Sequence, residues 1–203
     1  MAVLDFPVSL PLPASIAFRL RHNTQTSTSP LTQSVQTVSF PGARWLATLS
    51  WSNLTVQDQR TIKVWLAQLR GQAGRFRLWD LVHPDPAGVG AVGTVMVSGA
   101  DQVGVTLVTT GWPVSTAGLL LPGDYISVND ELKLVTTSAS SNGAGAATIT
   151  FEPPLRSSPP DAATVTLIKP TAIFRLADDE QDQMTVRPPY RADLTIECVE
   201  SWA

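Results

Sequence analysis

A single stretch of this chain carries a helical period, and the rest is broken into short β-prone runs. Between Thr55 and Arg70, Ile62, Trp65, Leu66 and Leu69 fall at i, i+3, i+4 and i+7, which gathers them into one apolar stripe. Thr55 is placed to cap the first turn, Asp58 three residues later favours its free N–H groups, and Gly71 is the stop. A lone helix has to lay that stripe on a sheet. Sheet signals flank it. Ser34 to Phe40 is β-prone, Pro41-Gly42 is expected to turn the chain, and Arg44 to Trp51 alternates with Trp45, Ala47, Leu49 and Trp51 on one face. After the helix, Gly71 and Gly74 lead into a strand at Phe76-Arg-Leu-Trp79. Ahead of all this, residues 1–34 are proline-punctuated and then rich in Ser, Thr and Gln from His22 to Ser34, which predicts an extended arm followed by an exposed loop.

The pattern changes after residue 88. Thr94 to Val97, Val103 to Val108, Tyr125 to Val128, Leu132 to Val135, Ala147 to Phe151 and Thr164 to Ile168 are closely spaced strand candidates with almost no helix signal between them. Asn129-Asp130 supplies a tight turn and Ser138 to Gly145 a longer loop. Such spacing predicts a small barrel of the SH3 or OB kind, which closes its own edges and is suited to insertion in a host. Beyond Pro170 the pattern of the first 88 residues returns. Ala172 to Leu176 reads as a strand, an acidic loop follows, and Ala192 to Trp202 alternates with Leu194, Ile196 and Cys198 inward. The expected fold is therefore mainly β, with an α+β host domain of sandwich type over 1–88 and 171–203, interrupted by an inserted barrel over 89–170.

Residues 88 to 93, Gly-Val-Gly-Ala-Val-Gly, spell the dinucleotide fingerprint G-x-G-x-x-G. The context argues against a nucleotide. Pro84 and Pro86 break any strand before the glycines, the β-branched run Thr94 to Val97 is no helix, and no acidic residue follows about 20 positions on to hold a ribose. The glycines read instead as a hinge leading into the insert, with Lys169-Pro170 leading out.

Other chemistry is thin. His22 lies in the Ser/Thr loop and His83 beside prolines, so neither has a nucleophile and an orienting partner in view. Asp80, His83 and Asp85 offer metal-ligand atoms but no shared face, and read as an Asx-rich turn. Asp178, Asp179, Glu180 and Asp182 lack the spacing and glycine of a calcium loop, and read as solvated. Cys198 sits at a core phase, and as the one cysteine it permits no intrachain disulfide. Trp45, Trp51 and Trp65 are explained by the core. Trp79, Trp112 and Trp202 remain as possible sugar platforms, with Trp112 in Thr110-Gly-Trp-Pro113 expected to be the most exposed. No catalytic, cofactor-binding or metal residue is assigned.

At 203 residues the chain is long enough to bury a real core, and at 15% charged residues it is poorer in charge than the usual globular quarter. A surface so poor in charge suits one that a partner covers. The net charge is −3, and the 14 Lys and Arg are scattered along the sequence, so no nucleic-acid specificity is expected. The apolar start carries Asp5 and three prolines without a basic leader, so it does not read as a signal peptide, and no run approaches a membrane span.

Trp65-Leu-Ala-Gln-Leu-Arg-Gly71, Gly74-Arg-Phe-Arg-Leu-Trp-Asp80, Leu121-Pro-Gly-Asp-Tyr125 and Phe151-Glu-Pro-Pro-Leu-Arg156 come in an order that resembles the distal tail proteins of long-tailed bacteriophages, from about Val35 to the end. The resemblance implies a non-enzymatic structural protein of the virion tail tip, assembled in the host cytoplasm. It implies a ring, commonly a hexamer, between the tail tube protein and the hub and tip proteins, with the barrel projecting outward and no cofactor. A related tip protein in some phages holds an iron–sulfur cluster on several cysteines; the lone Cys198 departs from that pattern. The alternative, from a different class, is a non-catalytic carbohydrate-binding module that stacks sugars on Trp112.

Overall fold

The computed structural model describes residues 3–7, 9–90, 93–181 and 183–202, and over these the chain is mainly β with one α-helix, as the patterning predicts. The elements before the glycine-rich segment are β1 (Val3–Asp5), β2 (Ser15–Thr28), β3 (Val35–Leu54), α1 (Val56–Leu69), a 3₁₀ turn (Gly71–Ala73) and β4 (Arg75–Leu78). Next come β5 (Val95–Val97), β6 (Gly104–Thr110), β7 (Tyr125–Val128), β8 (Glu131–Val135), β9 (Ala146–Leu155) and β10 (Thr164–Val165). The chain ends with β11 (Ala172–Leu176), β12 (Thr185–Arg187) and β13 (Arg191–Glu200).

The first sheet has the order β1-β4-β11-β13-β3-β2, antiparallel except between β1 and β4, with β12 added beside β13. Its inner face carries Trp45, Leu49, Phe76, Phe174 and Ile196, onto which α1 lays Ile62, Trp65, Leu66 and Leu69. Trp65 meets Phe76 edge-on with centroids 5.0 Å apart. Each such side chain contributes about 1.5–3 kcal/mol by leaving water. The ends of the helix are fixed locally. Thr55 and Asp58 form a reciprocal capping box, and Arg70 adopts the left-handed conformation (φ 54°) that ends the last turn.

The second sheet runs β10-β5-β6-β9-β8-β7, and a bridge between Ser127 and Thr166 brings its two ends together into a nearly closed barrel. Leu107, Leu119, Ile126, Ile149 and Phe151 fill it. Asn129 and Asp130 both take positive φ, as a two-residue hairpin turn requires.

Two expectations fail in the N-terminal half. Pro41-Gly42 does not turn the chain: β3 continues through both residues, because Gly42 tolerates φ +112° and the register slips opposite His22. The turn lies at Ser29–Ser34 instead, where the Ser29 N–H donates to the Ser34 carbonyl and the Gln33 N–H to the Ser29 carbonyl. The segment predicted as an exposed loop from His22 is therefore strand as far as Thr28. A ribbon wet on both faces has no apolar alternation to betray it in the sequence.

The first half of the glycine segment is tied to the barrel. Val89 and Gly90 donate to the carbonyls of Gly118 and Leu119, while the Ala87 and Gly88 N–H groups donate to the Asp124 carboxylate. A Cβ on Gly88 would stand 2.4 Å from the Leu119 oxygen, so the glycine serves close backbone approach. Ala91 and Val92 of the same motif lie outside the described residues.

Candidate assembly interface

Beyond the body of the first sheet, β2 and β3 continue as a two-stranded ribbon. Asn23 pairs with Phe40 and the register runs on to Thr28 opposite Val35. Every residue of both arms is exposed. Six paired positions extend the ribbon about 20 Å, at about 3.4 Å per residue. One face is Thr24, Thr26, Thr28 with Ser39, Thr37 and Val35; the other sets Phe40 and Val38 opposite Asn23 and Gln25. Leu31 at the tip is 93% exposed. β2 also ends the sheet order, so its outer row of backbone groups faces no strand among the described residues. A ribbon of this kind is marginal in water and its edge is a template for another chain.

At the ribbon's base a charged network ties sheet to barrel. Glu200, 2% exposed, accepts Arg156 Nη1 at 2.9 Å and Nη2 at 2.6 Å, and also the Trp45 backbone N–H at 2.9 Å. Arg156 Nη2 further donates to the Ala43 carbonyl. On the barrel side Glu131 accepts Lys133 Nζ at 2.6 Å and the Arg156 N–H at 3.0 Å. Lys133 is fully buried, and burial pulls its ammonium below the usual lysine range against the opposing pull of Glu131. A hydrogen bond and an aromatic contact reinforce the charges: Trp45 Nε1 donates to the Leu132 carbonyl, and Tyr125 of β7 lies edge-on to Trp45 at 5.6 Å. Burial first, and the Asp80 carboxylate second, push the Tyr125 phenol up to about 12. A cleft of about 710 Å³ opens beside this junction, walled by Phe40, Pro41, Pro153 and Trp202. Trp202 is 40% exposed and lies between two guanidiniums, with Arg156 3.9 Å and Arg44 4.6 Å from its ring centre.

The residues weighed for chemistry do not converge. Asp80 Oδ2 meets His83 Nδ1 at 2.9 Å and Oδ1 accepts the Val82 N–H, an Asx turn, while Asp85 stands exposed. Among the described residues no three His, Cys, Asp or Glu side chains come together as metal ligands. His22 lies at the ribbon base, lining the clefts on either side of it. Asp179 accepts the Gln72 N–H and Asp178 the Glu180 N–H, leaving an exposed acidic loop; Asp182 lies outside the described residues. Cys198 is buried, and burial pushes its thiol up, away from the reactive thiolate. Trp112 overturns the sugar-platform expectation. It is 5% exposed, fills the barrel core, and its Nε1 donates to Thr109 Oγ1 at 2.8 Å. Thr109 gives the indole N–H a buried partner, which the residues of the turn do not reveal. Trp79 is half-buried beside Phe6 at 6.2 Å, with Lys169 Nζ 5.5 Å from its ring centre.

The network residues form no motif along the chain, although Glu200 carries a readable signal: it shares the inward phase of Leu194, Ile196 and Cys198. No protein-family model and no curated protein matches this chain.

Proposed function

We propose that this protein is a non-catalytic structural subunit that assembles with copies of itself into a ring of the kind distal tail proteins form at the end of a phage tail tube, joining tube to hub and tip proteins. One observation carries the reading: the ribbon of Asn23–Thr28 and Val35–Phe40, exposed on both faces and ending in an open edge. Burying it against a neighbour satisfies backbone groups and, on the face that carries them, covers Val38 and Phe40. Ribbon and edge together form one patch; when it docks on a different surface of the neighbour the contact is heterologous, and a heterologous contact closes as a ring when its rotation permits. The low charge content and the resemblance of the helix and Pro-Pro-Leu-Arg segments to the tail-tip family support the same reading.

The test replaces residues 24–39 with a two-residue Asn-Gly turn, which caps the strands where the bulge ends. Light scattering across a concentration series and negative-stain images are expected to give a discrete ring for the native chain. The shortened chain is expected to keep its circular dichroism and remain monomeric. A native chain that stays monomeric throughout, or a shortened chain that assembles equally well, overturns the proposal.

A further inference from the structure

The register of the first sheet does something the linear sequence hides: it collects arginines. Arg21 of β2 stands directly opposite Arg44 of β3. In the neighbouring row, Arg19 faces Leu46, Leu46 faces Val199, and Val199 faces Arg175, so two arginines flank an apolar pair across four strands. All point to the face away from the core, since Trp45, Ala47 and Cys198 of the same strands point inward. Like charges directly opposite in a sheet are destabilising. Among the described residues no carboxylate lies within ion-pair distance of Arg19, Arg21, Arg44 or Arg175. A groove of about 540 Å³ runs over this patch, and none of its lining residues is acidic.

We propose that this arginine face is one half of the subunit contact, and that its occupant is the acidic loop Asp178–Glu180 of a second copy. The inference rests on the ring reading and adds the chemistry of the contact. Charge selects the occupant. The same outward face carries Asp193 and Glu197 on β13, so four guanidiniums still leave it net positive, and with a net charge of −3 the rest of the chain holds the acidic excess that a second copy offers as the complement. The loop follows β11, three strands across the sheet from β2, and is exposed. The Arg19, Arg21 and Arg44 end of the patch and the acidic loop stand at opposite ends of this strand series, and two complementary patches so separated make the head-to-tail contact a ring needs. The apolar pair Leu46 and Val199 between the arginines favours a protein segment over a sugar–phosphate chain.

The experiment uses two full-length variants, Arg19→Glu with Arg21→Glu, and Asp178→Lys with Glu180→Lys, each checked for native circular dichroism. Each alone is expected to raise the concentration of half-assembly about tenfold or more, and added salt is expected to weaken the native ring. Mixed in equal amounts, they are expected to assemble again, because each reversed patch then meets its complement. Native rings with both variants assembling normally, or a mixture no better than its components, overturn the contact and leave the ring reading standing. A native chain that never assembles overturns both. A labelled single-stranded oligonucleotide bound by the native chain and lost in the arginine variant, with assembly unchanged, would assign the face to nucleic acid instead.

Discussion

Glu200 stands on the inward phase of β13, where a carboxylate without donors would be costly to bury. It is tolerable because three donors converge on it, two from Arg156 and one from the Trp45 backbone. Glu200→Ala leaves the Arg156 guanidinium in a largely buried site without its counter-charge, and the expected loss is about 3–5 kcal/mol. Glu200→Met with Arg156→Met removes both charges and is expected to cost much less, as buried ion pairs commonly do when replaced together. Urea denaturation of the three proteins measures this, and a double variant as unstable as the single one would show that the network does more than neutralise itself. At this scale the sequence is partly legible. The parity of Glu200 is there to be read, whereas the Arg21–Arg44 opposition depends on a register that slips at His22 and cannot be counted from residue spacing.

Among the elements, those with one buried face are readable and those with none are not. Helix α1 declares itself through a period and a cap, and β7, β11 and β13 through β-rich or alternating runs. The ribbon half of β2 does not, because Thr, Ser and Gln on both faces look the same whether paired or coiled, and β1 is a three-residue strand defined by its pairing with β4. The glycine segment misleads in another way. Its spacing matches a nucleotide motif, yet Gly88 is there because the Leu119 backbone passes 2.4 Å from where a Cβ would be, while Gly93 has open space. Gly88→Ala is accordingly expected to destabilise by about 1–3 kcal/mol, since the obstructing atoms are backbone and cannot swing aside. Gly93→Ala is expected to be near neutral or slightly stabilising. Thermal denaturation of the pair decides it, and equal effects would mean that the connector gives way more easily than its hydrogen bonds suggest.

For the molecule as a whole, the question is whether barrel and sheet behave as two bodies or one. Each has its own hydrophobic core, which by itself would allow separate unfolding. The junction argues the other way. Leu132 of the barrel is fully buried in the core of the sheet, the Trp45 indole donates to its carbonyl, and the Arg156–Glu200 ion pair, with Glu131 holding the Arg156 backbone N–H, crosses between them. Opening the barrel alone would expose Leu132 and part of Trp45 and strip Glu200 of its guanidinium, a penalty of several kcal/mol that a single transition avoids. Hydrogen exchange followed through a urea series is therefore expected to show peptides from β6 and from the Trp45–Trp51 half of β3 losing protection at the same urea concentration. In the Glu200→Ala protein the two sets of peptides are expected to lose protection at different urea concentrations, because that substitution cuts the charged link between them. Barrel peptides opening first in the native chain would mean that the junction is a contact surface and not a weld. A barrel free to swing would also remove the reason for burying Lys133, Glu131 and Glu200 at the join.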